Sequence, residues 1–221
     1  MKRLALATLF ALICAAPSAH AATIQLDINV LLEGTPVQGD STVATLLFED
    51  VGANQVRLTV TSSLNNVSEF ISDIAFNVAA GFDPSAITAS YVAGSQSGLF
   101  DLPSLTSTNQ NSQNPPGASS GYDHRYTFTT ANSDAGSHRF NLDDSFQYLF
   151  SANGLDALDF SVANSASYYA FAHVQGIGPN ANLSSAYVST DPSIPSVPEP
   201  TSLLLLATGL IAGARTLRKR T

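Results

Sequence analysis

The chain has 221 residues, 44% of them hydrophobic, and nine lysines and arginines against seventeen acids for a net charge of −8. The imbalance is steeper between Ala22 and Ser196, where Arg57, Arg125 and Arg139 oppose sixteen carboxylates and the net charge is −13. Such a surface repels phosphate, which excludes nucleic acid and anionic lipid head groups as partners of this region and leaves divalent cations and neutral glycans.

The chain opens on "MKRLALATLFALICAAPSAHAA". Lys2 and Arg3 form a cationic start, Leu4 to Ala16 an apolar stretch, and Ala19-His20-Ala21 an A-x-A signal, so residues 1–21 read as a signal peptide that signal peptidase cuts between Ala21 and Ala22. Cys14, the one cysteine, leaves with it; Ile13 before it is not the small residue that lipidation requires. The exported part has no disulfide to rely on, and a hydrophobic core must hold it together.

From Ala22 onward the dominant signal is alternation with period two, the signature of half-buried strands. It runs through Ile24, Leu26 and Ile28; Val56, Leu58 and Val60; Ile74, Phe76 and Val78; Tyr122, His124, Tyr126 and Phe128; Phe146, Tyr148 and Phe150; and Tyr169, Phe171 and His173. "EDVGAN" and "NLDDS" read as hairpin turns, and "NGLDALDF", Asn153 to Phe160, as one helical turn. The stretch from Ser97 to Tyr122 reads as a long polar loop. Eight or more short strands with no long helix predict an all-β fold, an antiparallel β-sandwich of jelly-roll type, over residues 22–187. "STDPSIPSVPEP" then supplies a stiff Pro/Ser linker over 188–196.

Catalytic motifs are absent. His124, His138 and His173 have no metal-binding spacing and fall in predicted strands, where a half-exposed or hydrogen-bonded histidine is the ordinary outcome. "GSQSG" is not a nucleophile elbow, and no glycine loop cradles phosphate. Asp143, Asp144, Asp156 and Asp159 crowd together with Asn141 and Asn153 nearby. As hard oxygen ligands they would suit a structural calcium ion, but no D-x-D-x-D-G loop accompanies them, and turn formation and helix capping are the favoured readings. No other cofactor is expected. Tyr122, Tyr126, Tyr168 and Tyr169 would stack on sugars if they faced outward and fill the core if they did not. The sequons at Asn66 and Asn182 read as coincidental.

The chain closes on "VPEPTSLLLLATGLIAGARTLRKR". Thr201 to Ala214 is an uncharged run that spans about 21 Å as a helix, short of the roughly 30 Å hydrocarbon core, and Arg215, Arg218, Lys219 and Arg220 would hold its far end in the cytoplasm. Val197, Pro198, Glu199 and Pro200, then this helix, then the basic cluster make residues 197–221 resemble a PEP-CTERM sorting signal. The resemblance implies that an exosortase, a membrane transpeptidase-like enzyme of Gram-negative bacteria, reads Pro198-Glu199-Pro200. It further implies an inner-membrane-anchored precursor, then transfer or release to the cell surface or matrix, and association with exopolysaccharide and biofilm.

Three function classes follow. The first is a non-catalytic surface or matrix protein processed at its tail. The second is a secreted carbohydrate-binding module, and the third a secreted hydrolase, which would need convergent polar groups in a pocket.

Overall fold

The computed structural model describes residues 22–37, 42–66, 68–98, 100–108, 125–129, 138–164, 166–178 and 184–191, all within the compact unit Ala22–Pro198. The signal peptide, Val197 to Pro200, the 201–214 segment and the basic cluster lie outside the described residues. Among the described residues no helix is long and apolar enough to cross a membrane.

The described residues form ten strands: β1 (Thr23–Gly34), β2 (Ala44–Gly52), β3 (Gln55–Ser62), β4 (Phe70–Asn77), β5 (Thr88–Tyr91), β6 (Ser104–Thr108), β7 (Arg125–Thr129), β8 (Ser145–Ser151), β9 (Ala170–Ile177) and β10 (Ser184–Thr190). Two short 3₁₀ turns interrupt them, at Pro84–Ala86 and Ala157–Phe160. All strands join one antiparallel sheet in the order β5-β8-β3-β2-β1-β10-β9-β4-β7-β6. The all-β expectation holds. The two-sheet jelly roll does not: the strands make a single sheet that curls into a half-barrel.

β1 is the reason. Its first half pairs with β2, from Thr23↔Glu49 to Ile28↔Ala44, and its second half with β10, from Ile28↔Thr190 to Gly34↔Ala186. Register shifts between Ile28 and Val30 and between Leu31 and Glu33 mark the change of partner. Bulges bend a strand and sharpen its twist, so β1 serves as the corner through which the two halves of the sheet turn toward each other.

The inner faces then meet over an aromatic core. Phe48 and Phe150 on one half contact Phe76 on the other at ring separations of 5.1 and 6.2 Å, and Phe128 lies 5.2 Å from Phe146 and 4.9 Å from Tyr148. Phe160, delivered by the Ala157–Phe160 turn, stacks on Phe48 at 4.6 Å. The phenylalanines are fully buried, and each contributes about 1.5–3 kcal/mol by leaving water.

Local chemistry agrees with several expectations and corrects others. Asn54 takes a φ of 63° in the β2–β3 hairpin turn, a conformation Asn tolerates, and its Oδ1 accepts the Gly154 N–H at 2.8 Å. "NLDDS" is a turn but not a hairpin, because β8 pairs with β3 and β5 rather than β7. The polar stretch after Ser97 contains β6, and β10 continues to Thr190, beyond Tyr187. His138 sits in a bend outside any strand.

Candidate functional site

Two features of the described residues gather chemistry. The first lies on the outer face where β7, β4, β9 and β10 run side by side. Thr129 pairs with Asp73, Asp73 with His173, and His173 with Tyr187, so the four side chains form a row across the strands. A register shift in β4 between Ile71 and Asp73 inserts Ser72 into this row.

The row is tightly bonded. Thr129 Oγ1 donates to Asp73 Oδ1 at 3.1 Å, and Ser72 Oγ donates to Asp73 Oδ2 at 3.2 Å. Ser72 Oγ also lies 3.0 Å from His173 Nδ1 and 3.2 Å from the His173 carbonyl. Asp73 Oδ2 is 3.7 Å from the same Nδ1, and the imidazole stacks on Tyr187 at 4.3 Å with the rings 2° from parallel. The nearby His173 ring is the largest influence on Asp73 and, with the hydrogen bonds from Thr129 and Ser72, holds its carboxyl below the ordinary 3.8 against the opposing effect of burial.

Ser72, Asp73 and His173 are the three residue types of a hydrolytic triad, but the geometry is not that of one. A triad places the serine on one ring nitrogen and the carboxylate on the other. Here both face Nδ1, and Ser72 is only 2% exposed. The arrangement fixes an imidazole and an ionised carboxylate in a set orientation.

The second feature is a cavity of about 400 Å³ at the seam of the half-barrel, between edge strands β5 and β6. Ile87, Tyr91, Leu105 and Tyr148 supply apolar surface, Ser85 and Ser107 hydroxyls, and the Pro84–Ala86 turn closes one end. Tyr148 donates its hydroxyl to the Pro103 carbonyl at 3.2 Å and meets Tyr91 edge-on at 6.0 Å. Burial, and then the neighbouring Tyr91, push the Tyr148 phenol up.

The aspartates singled out in the sequence take separate structural positions. Asp143 occupies the turn before β8 with a φ of 57°. Asp144 is buried and accepts the Asn141 N–H at 2.8 Å, and burial raises its pKa. Asp156 and Asp159 form a capping box on the Ala157–Phe160 turn: Asp156 accepts from Leu158 N at 2.8 Å, and Asp159 from Asp156 N at 2.9 Å. Burial raises Asp159 as well. Among the described residues no three His, Cys, Asp or Glu side chains come together as a metal site.

Tyr169 packs against the core and Tyr168 is half-buried, so neither offers an open sugar platform. Tyr122 and His124, like the side chain of Tyr126, lie outside the described residues. His138 Nδ1 meets Asp101 Oδ1 at 3.0 Å on the exposed surface. The aromatics that do line a cavity, Tyr91 and Tyr148, are not among the tyrosines weighed for sugar stacking; in the sequence Tyr148 reads only as part of a strand, because alternation alone does not show that β5 and β6 flank an open seam.

The described unit is an all-β passenger whose chain continues into a terminal tail. Residues 196–220 of that tail match the family model of the PEP-CTERM protein-sorting motif. The match implies export, a membrane-anchored precursor and an exosortase-type processing partner. No curated protein and no solved structure matches the chain.

Proposed function

We propose that this chain is an exported, non-catalytic protein of the cell surface or extracellular matrix, held with exopolysaccharide after an exosortase has processed its tail at Pro198-Glu199-Pro200. The observation that carries the reading is the sorting-motif match over residues 196–220. The acidic, cysteine-free passenger is consistent with it: it stays soluble without disulfides and takes its stability from its aromatic core. The Ser72–Asp73–His173 geometry supports the non-catalytic part, because serine and carboxylate share the same ring nitrogen and Ser72 is buried.

The test is the mass and location of the chain in cells with and without the sorting enzyme. A product trimmed at both ends and recovered with the matrix polysaccharide is expected only when that enzyme is present. A chain of unchanged mass in both strains overturns the processing step. A trimmed chain absent from the polysaccharide fraction overturns the matrix assignment.

A further inference from the structure

We propose that the groove between β5 and β6 receives an extended, uncharged peptide segment of another polypeptide, which adds as a strand and closes the half-barrel.

The first argument is the state of the two edges. Among the described residues β5 and β6 end the sheet on its two sides, each paired on one side only, so each presents a row of backbone N–H and C=O groups. Proteins usually protect such edges with charges, proline or bulges. β5 reads "TASY" and β6 "SLTST", with no charge and no proline in either. Exposed edges of this kind are the template for strand addition, in which main-chain hydrogen bonds supply affinity and alternate side chains supply selectivity.

The second argument is the incomplete cover of the core at this seam. Elsewhere the inward positions of the strands are fully buried, as at Leu46, Phe48, Leu58 and Val60. At the seam Ala89, Tyr91 and Leu105 pack against the same core but stay partly exposed. An inserted strand would bury them and the groove face of Tyr148.

The third argument selects the guest. Among the described residues no carboxylate or cation lines the groove, although the passenger around it is strongly acidic. A charged side chain placed there would lose water and meet no counter-charge, so the guest carries small uncharged side chains inward. Outward side chains of the guest would lie beside exposed Thr88, Ser90, Ser104 and Thr106. The four residues of β5 and five of β6 set the length of the insert. Ten alternating strands leave β5 and β6 running in opposite directions, so the guest lies antiparallel to one edge and parallel to the other. A saccharide could use Ser85 and Ser107 but would leave both rows of backbone groups without partners, which is why a peptide is favoured.

The experiment is hydrogen exchange on the full-length chain in detergent, with capped pentapeptides that alternate Thr with Ala, Val or Leu. At least one should slow exchange of the β5 and β6 amides together, roughly tenfold or more. The same peptide with a central proline should not. Ser107→Arg, which places a charge at the rim, should weaken the effect at least tenfold, whereas Thr106→Arg on the opposite face should preserve it. The proposal is overturned if no peptide in the set protects, if only one edge responds, or if both edges are already protected in the free chain. Protection by cellopentaose in place of the peptides also overturns it and gives the groove to a saccharide.

Discussion

Ala22 and Asp50 are bonded to each other twice: the Asp50 N–H donates to the Ala22 carbonyl at 3.0 Å, and the Ala22 N–H donates to Asp50 Oδ2 at 2.8 Å. The second oxygen of that carboxylate, Oδ1, accepts the Ala157 N–H at 2.8 Å, tying the start of β1 to the turn that delivers Phe160. Cleavage between Ala21 and Ala22, the expectation from the sequence, would convert the Ala22 amide into an ammonium group and turn its hydrogen bond to the Asp50 carboxylate into an ion pair.

This gives the first prediction. The chain beginning at Ala22 should be more stable than the same chain N-acetylated, by about 0.5–1.5 kcal/mol given the partly exposed site. Asp50→Asn should remove most of that difference. Urea unfolding of the four proteins gives the coupling directly. Equal stability of the acetylated and free forms in the Asp50 background would show that the terminus does not use this carboxylate.

A second prediction concerns Gly98, which has a φ of +102° and whose missing β-carbon would fall on the carboxyl group of buried Asp144. Gly98→Ala must strain the backbone and also push Asp144 away from Asn141, for a combined cost of about 2–4 kcal/mol. Gly94 has a φ of +77° with open space around it, so Gly94→Ala should cost only the left-handed strain, about 1–2 kcal/mol. Comparable unfolding midpoints for the two variants would contradict the steric part of the argument.

The third prediction is a pH dependence. Folding holds Asp73 below 3.8, chiefly through His173, so its ionised form stabilises the fold above that value and the contribution disappears as pH falls through the lower folded value. Asp144 and Asp159 behave oppositely: burial raises them, so their contribution is complete in acid and declines as pH rises through their folded values. Asp73→Asn should therefore flatten the loss of stability below 3.8, an effect under about 1 kcal/mol because the carboxylate is partly exposed. His173→Phe keeps a ring over Tyr187 but removes the ring nitrogen beside Asp73, and should move the Asp73 titration, followed by carboxyl-carbon NMR, back toward 3.8. An unchanged midpoint would assign the depression to Ser72 and Thr129 alone.

The strands that could be read from the sequence are those with one face in the core. β8 occupies Ser145–Ser151, as the Phe146, Tyr148, Phe150 alternation indicates, and Asp156 and Asp159 announce the turn they cap. β6 was hidden because "SLTST" carries a single large apolar residue, Leu105, and a polar edge strand looks like a loop. Two-sheet packing was the natural expectation from strand count. The corner in β1 arises from register shifts against β10, and "TIQLDINVLLEG" shows no glycine or proline where the partner changes. The outer-face row was illegible for a related reason: Ser72 and His173 are 101 residues apart, and only the registers of β4, β9 and β10 bring them together with Tyr187.

The last prediction returns to the tail, where the sequence carries the argument alone. If the tail acted only as an anchor, its apolar run and Arg215, Arg218, Lys219 and Arg220 would suffice, and Glu199→Gln, nearly isosteric and outside the run, would change nothing. If an enzyme reads Pro198-Glu199-Pro200, the carboxylate between two ring-constrained residues is a recognition handle. Its loss removes a charge-assisted contact of about 1.5–3 kcal/mol, which slows processing roughly tenfold to a hundredfold. Full-length precursor should then accumulate in the membrane fraction while the hydrogen-exchange pattern of the β-rich passenger stays native. Normal release of the Glu199→Gln chain would leave the tail as an anchor and end the sorting mechanism.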